Sequence, residues 1–280
     1  MKSLAAAALL WVSMACSVQT NRGEVGVYQA PASAGMAGSG GTSGTAGAPG
    51  LPGPDTPAFF LTLILRDFKQ YDANDETTNP AFDNVQSEAG VVAAQLGADQ
   101  KPVYRVPTNA VPTFGADYFD QWYRDVPGTN ITKPFPLPIA VDAQGFYVYD
   151  SQQSGVADVY QGVARRVFFP LDDGGPYATA FGNQGKGHNF SFTGELHGRF
   201  VPQAGDALEV RSDDDLYVFV DDTLVLDLGG THVATSKTLQ LNDLALTLGE
   251  PHALHLFYAE RLGATGAFTV RSSFELESAR

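Results

Sequence analysis

Cysteine is almost absent from this 280-residue chain: Cys16 stands alone. No intrachain disulfide can form, and no zinc site can be built on cysteine ligands. Basic residues are also scarce, 17 Lys and Arg against 31 Asp and Glu, for a formal net charge of −14. Phosphate-rich partners need clustered positive charge, so nucleic acid and anionic lipid surfaces are excluded as electrostatic partners. Apolar repeats of helical period are few, and the apolar run Leu4 to Val12 is too short to span a bilayer. What remains is 44% hydrophobic and 11% aromatic residues with 30 glycines and 17 prolines, enough for one large core in a β-rich, turn-rich body.

The N-terminus reads as targeting followed by a tether. Lys2 and the short apolar run after it have the form of a secretory signal. Cys16 follows in Ser13-Met14-Ala15-Cys16, which resembles the lipobox of bacterial lipoproteins, and lipidation at Cys16 is expected; type I cleavage is the alternative. Residues 17–57 are rich in Gly, Ser, Ala, Thr and Pro, hold few large apolar groups, and read as a disordered linker. The glycine spacing in GAPGLPGP is too short-lived for a collagen triple helix. The division is therefore 1–16 signal peptide, 17–57 linker and 58–280 folded domain.

Within the domain, Phe59 to Phe68 is a β-branched and aromatic run without breakers, expected to be a buried strand. Further strands are expected at 145–149, 167–169, 189–193, 207–210, 216–220, 224–228, 253–258 and 267–276. Helices are expected only at Ser87 to Leu96 and Asp117 to Tyr123. Many short strands separated by DAQG, DDGG, GNQGKG and PQAG turns argue for an all-β sandwich or open barrel.

Most motif readings fail. GNQGKGH lacks the ending of a phosphate loop, and no G-x-S-x-G elbow occurs. The histidines His188, His197, His232, His252 and His255 lack H-E-x-x-H spacing and read as turn or core hydrogen-bonders. Tyr71 to Asp83 imitates a calcium loop but has no glycine at its sixth position, so a solvated loop is the better reading. Glu260 and Arg261 read as a structural ion pair. Trp122, Tyr123 and Tyr217 suit a sugar platform, a protein interface or, most commonly, the core.

The stretch RSDDDLYVFVDDTLVLDLGGTH, residues 211–232, sets six aspartates around two apolar runs. Adjacent carboxylates repel one another unless they share a cation, and Ca²⁺ seeks six to eight oxygens. A solvated turn with Asx caps is the competing reading of Asp213 to Asp215. Asp227 has no reading at all, since a charge inside a strand is costly unless paired or wet.

With this stretch, the ordered blocks Arg66-Asp67-Phe68, KPVY at 101–104, FDQWYRDV at 119–126, FFPLD at 168–172, His188-Asn189-Phe190 and LFYAER at 256–261 resemble the fibro-slime domain, part of the PA14-like β-sandwich group. The resemblance covers roughly residues 58–276. It implies extracellular display and a non-enzymatic role. It also implies that Asp213 and Asp214, joined by a cis peptide, bind one Ca²⁺ that ligates sugar hydroxyls. The expected protein is secreted and lipid-anchored at the cell surface, meets a membrane only through the anchor at Cys16, and binds a carbohydrate or matrix polymer with calcium. A structural matrix component that self-associates without sugar is the alternative. A hydrolase has nothing beyond scattered carboxylates to support it.

Overall fold

The computed structural model describes residues 57–83, 89–106, 115–261, 263 and 265–278. Cys16, the expected signal peptide and residues 17–56 of the expected linker lie outside the described residues.

The described chain is all-β and antiparallel, with two one-turn helices, α1 (Ala116–Phe119) and α2 (Ser151–Ser154). The strands are β1 (Phe59–Phe68), β2 (Asn130–Val141), β3 (Tyr147–Asp150), β4 (Val156–Tyr160), β5 (Val163–Val167), β6 (Ser191–Phe200) and β7 (Ala207–Asp213). They continue with β8 (Asp215–Val220), β9 (Thr223–Leu228), β10 (Thr235–Gln240), β11 (His252–Arg261), β12 (Ala267–Ser272) and β13 (Glu277–Ser278). The main sheet runs β10-β7-β12-β3-β2-β1-β6-β11-β8-β9, with β13 beside β6; β4 and β5 form a separate hairpin. Both halves of this run line one apolar core: Leu208, Val210, Phe268 and Val270 from one half meet Leu63, Leu65, Leu216, Val218 and Leu256 from the other. This is the sandwich or open barrel the turn-rich pattern predicts.

The long strand β2 was not expected, because Pro134, Pro136 and Pro138 interrupt it. The reason is register. Ile139 presents its carbonyl to Ala58 on the β1 side, so the even-numbered residues direct their backbone groups away from β1. A proline there removes no ladder hydrogen bond. β4, β10 and most of β5 were also missed, the strand expected at 167–169 sharing only Val167 with β5; β10 is a largely exposed end strand with no apolar alternation to reveal it.

A second core lies on the opposite face of β1, β11 and β8, where Phe68, Tyr217, Phe219 and Phe257 pack under Phe82, Val92, Phe119, Trp122 and Tyr123 from the covering segments. Strand β8 is thus buried on both faces, which explains its unbroken apolar run. Trp122, Tyr123 and Tyr217 all belong to this second core and are sealed from solvent, so neither the sugar-platform nor the interface reading holds for them. The helix expected over Ser87 to Leu96 is corrected. Its described part is extended, bridging Val92 to Tyr104 and Gln95 to Thr223. Main-chain bonds from Leu96 to Asp222 and from Leu224 to Ala94 cover the outer edge of β9. Pairing to that edge, 128 residues away between Gln95 and Thr223, outweighs a weak local helical preference. The second expected helix shrinks to α1 and the turns after it.

The β8–β9 turn places Asp221 and Asp222 in the left-handed region, with φ of 47° and 62°. That conformation costs an ordinary L-residue about 1–2 kcal/mol. Asp221 is compensated: its Oδ1 accepts from the Ala253 amide at 3.0 Å and its Oδ2 lies 2.5 Å from His252 Nδ1. Asp222 offers only a 3.4 Å approach to His255 Nε2 from a half-exposed side chain. Asp222→Gly is therefore expected to raise stability by about 0.5–1 kcal/mol, and Asp221→Gly to lower it, in chemical denaturation. Equal effects from the two changes would contradict this division.

Candidate metal centre at the corner between β7 and β8

β7 ends at Asp213 and β8 begins at Asp215, so Asp214 lies where the chain passes from one half of the sandwich to the other. The Asp213–Asp214 peptide is cis. All three carboxylates are buried, with 3%, 3% and 0% of their surface exposed. This overturns the solvated-turn reading of Asp213 to Asp215.

Each carboxylate is held by a different part of the fold. Asp213 Oδ2 accepts from Thr265 Oγ1 at 2.6 Å. Asp214 accepts from the amides of His232 (2.9 Å) and Arg261 (3.1 Å). Asp215 accepts from Tyr217 Oη (2.8 Å), the Gly230 amide (2.5 Å) and Arg261 Nε (2.7 Å). The loop after β9 and the end of β11 therefore wrap the corner, and neither adjoins it in sequence.

Glu260, fully buried, completes the group. The Tyr258 hydroxyl lies 2.8 Å from Glu260 Oε2 and 2.6 Å from the main-chain oxygen of Asp213. Glu260 Oε1 is sealed from solvent and has no hydrogen-bond partner among the described residues. The expected Glu260–Arg261 pair is not formed. The residues alternate across β11, and Arg261 pairs with Asp215 beneath the second core, 5.0 Å from the Trp122 ring.

The electrostatics follow from this crowding. Burial, then the Asp215 charge, pushes the Asp214 carboxyl up to about 7. Burial raises Asp213 as well. Glu260 is driven well above the carboxylate range by burial and then by Asp214 and Asp213. Four acidic side chains thus occupy a corner whose one ion-paired cation among the described residues is Arg261, already committed to Asp215. The donor set is oxygen only, from Asp213 and Asp214 with the unpartnered Glu260 oxygen nearby, and suits a hard divalent cation such as Ca²⁺. Among the described residues no group of three or more His, Cys, Asp or Glu side chains is gathered tightly enough to hold a metal ion unaided.

The remaining sequence-stretch residues are structural. Asp227 accepts from the Gly90 amide (2.9 Å) and the Gly229 amide (2.8 Å), so it ties the covering segment to the loop after β9. Burial raises its carboxyl above the usual range. Tyr71 to Asp83 closes on itself, with the Asn74 amide on Asp72 and the Thr77 amide on Asp75, as a loop should. His188 is bound between Asp172 and Asp158, His197 meets His255 across β6 and β11, and His232 lies against the carbonyls of Leu228 and Val233. Glu260 and Thr265 were not expected at the corner; their distance in sequence from Asp213 hides them.

No family model matches the chain. Three curated proteins of Dictyostelium discoideum are similar to it: psiD at 34% identity over 181 residues, psiC at 31% over 198 and psiR at 33% over 211. The matches cover 61%, 65% and 73% of this chain, but only 33%, 36% and 20% of those proteins. The chain thus spans about a third or less of the length of these relatives. Among solved structures, a PA14 sugar-binding domain from an RTX adhesin is similar at 22% identity and TM-score 0.25, over 33% of this chain and 57% of that one. The PA14 domain of the MpAFP antifreeze protein is similar at 13% identity and TM-score 0.23, over 33% and 46%.

Proposed function

We propose that this chain is a non-enzymatic binding protein of the fibro-slime type, whose Asp213 and Asp214 carboxylates hold Ca²⁺ and present it to the hydroxyls of a carbohydrate or matrix glycan. The observation that carries this reading is the excess of buried acid at the corner: Asp213, Asp214, Asp215 and Glu260, with one ion pair, Arg261 to Asp215, among the described residues. Burying that much like charge without a counterion is unfavourable, and a divalent cation relieves it. Ca²⁺ would supply open coordination positions for vicinal hydroxyls. The protein's own residues would fix the carboxylates, with Thr265, His232 and the Arg261 amide as orienting donors. With the signal-like start and Cys16, this reading includes secretion and a lipid anchor that displays the domain at the cell surface.

A second reading, self-association as a matrix component, is favoured by the β4–β5 hairpin, where Val156, Val159 and Val163 are 38%, 68% and 65% exposed. A glycan array with Ca²⁺ and with EDTA separates the two. Saturable binding that EDTA removes is expected; concentration-dependent oligomers with no glycan bound would favour the matrix role and overturn the first reading.

A further inference from the structure

Beside the β4–β5 hairpin, between its open end and the turn-rich segment 170–188, lies a cavity of about 550 Å³. That volume falls in the range of small-ligand clefts. Its floor is an aromatic layer of Tyr149, Phe168 and Phe169, which are sealed in the core; the rings open to a ligand are Phe135 and Tyr177, both only partly buried. These two stand nearly at right angles, with 73° between their planes and 4.9 Å between centroids. Rings so placed form a corner onto which two π faces look. Gly174, Gly175 and Gly187 line the cavity without side chains to fill it.

The charge around the cavity is acidic. Asp172 and Asp173 line it, and the one basic side chain among its lining residues, His188, is held between Asp172 at 2.6 Å and Asp158 at 3.3 Å. Asp172 is used within the fold, since its Oδ1 accepts from the Asn189 amide at 2.9 Å and its Oδ2 meets His188. Asp173 differs. Its main-chain amide is fixed by donation to Asn183 Oδ1 at 2.9 Å, yet its exposed carboxylate takes part in no hydrogen bond or ion pair among the described residues. Aromatic faces carry negative potential, so the ring corner and the uncommitted carboxylate favour the same sign of ligand charge. An anion would be repelled here, and a neutral ligand would leave Asp173 unused.

We propose that this cavity binds a small organic ammonium ion, with its cationic head between the Phe135 and Tyr177 rings and its charge balanced by the Asp173 carboxylate. A hard metal ion is poorly served, because ring faces supply none of the oxygen ligands it needs. An alkylated ammonium is well served: its carbon groups lie against the rings while its charge meets the π faces and the acid. Val156, Pro170 and Pro176 extend the apolar lining that such carbon groups require. The site shares no lining residue with the Asp213 corner and needs no calcium.

The isotope-labelled full chain is titrated in EDTA, so that calcium takes no part, and NMR chemical shifts are followed. The ligands form two pairs, each charged against neutral: choline with its uncharged isostere dimethylbutanol, and glucosamine with glucose. At least about tenfold tighter binding of one ammonium ligand than of its neutral counterpart is expected, and the pair that shows the margin tells whether a quaternary or a primary ammonium is the better fit. Asp173→Asn, a near-isosteric change at an exposed side chain, and Tyr177→Leu are each expected to remove most of that margin. Glu250→Gln, which takes an exposed acid from outside the cavity, is expected to leave it unchanged. Equal binding of charged and neutral ligands would overturn the proposal, as would a margin that survives both Asp173→Asn and Tyr177→Leu. Loss of the margin in Glu250→Gln to the same degree, or no saturable ammonium binding at tens of millimolar, would also overturn it. None of these outcomes bears on the calcium corner, which EDTA removes from the measurement.

Discussion

Replacing Arg261 with methionine is expected to destabilise the domain by about 3–5 kcal/mol, the cost of leaving one member of a buried ion pair uncompensated. Asp215 is then a fully buried carboxylate next to Asp214 and Asp213, with the Tyr217 hydroxyl and the Gly230 amide as its remaining donors among the described residues. Domains of this kind have about 5–15 kcal/mol of stability in total, so a large part is at stake. Denaturant unfolding measures it. The diagnostic arm is the double variant Arg261→Met with Asp215→Asn, which removes both charges and keeps an acceptor for Tyr217 and Gly230. It is expected to be more stable than Arg261→Met alone. If the two changes simply add, the pair is not coupled and the account of the corner fails.

The second large effect is expected from calcium, if the proposed site at Asp213 and Asp214 holds it. A ligand that binds only the folded state stabilises it by about 2.7 kcal/mol at one hundred times its Kd. For a domain of this size that is roughly 5–10 °C in Tm. EDTA-stripped protein is therefore expected to melt lower than protein in Ca²⁺, with Mg²⁺ giving much less because it prefers a small octahedral shell. Asp214→Asn is expected to act in opposite directions under the two conditions. Without metal it relieves the repulsion among Asp213, Asp214 and Asp215 and raises Tm. With Ca²⁺ it removes a ligand and flattens the response. A wild-type Tm indifferent to millimolar Ca²⁺ would rule out the metal reading, and a Ca²⁺ response that survives Asp213→Asn with Asp214→Asn would move the site elsewhere.

These two variants come from different levels of legibility. Asp213 and Asp214 are visible in the chain because an acidic triplet before an apolar strand is unusual, and because the blocks around it resemble a known domain. Arg261 is visible as a charge at a strand end, but its partner is not. Local sequence proposes Glu260, the neighbouring residue, whereas β11 pleats the two to opposite faces and brings Asp215 across from β8 instead. The same limit applies to Asp227, whose two amide donors, Gly90 and Gly229, lie 137 residues before it and two after.

By itself the sequence determined the all-β class, most strands, the turns between them and the place of the acidic corner, because period-two apolar runs and breakers act over a few residues. The tertiary structure alone decided three further things. It kept β2 intact through its prolines by turning them away from β1. It converted Trp122, Tyr123 and Tyr217 from candidate binding surface into a second core. It paired Arg261 with Asp215 on the next strand instead of with Glu260, its neighbour in sequence. Each of these depends on which backbone edge or face meets which between segments far apart in sequence, and no local pattern encodes that meeting.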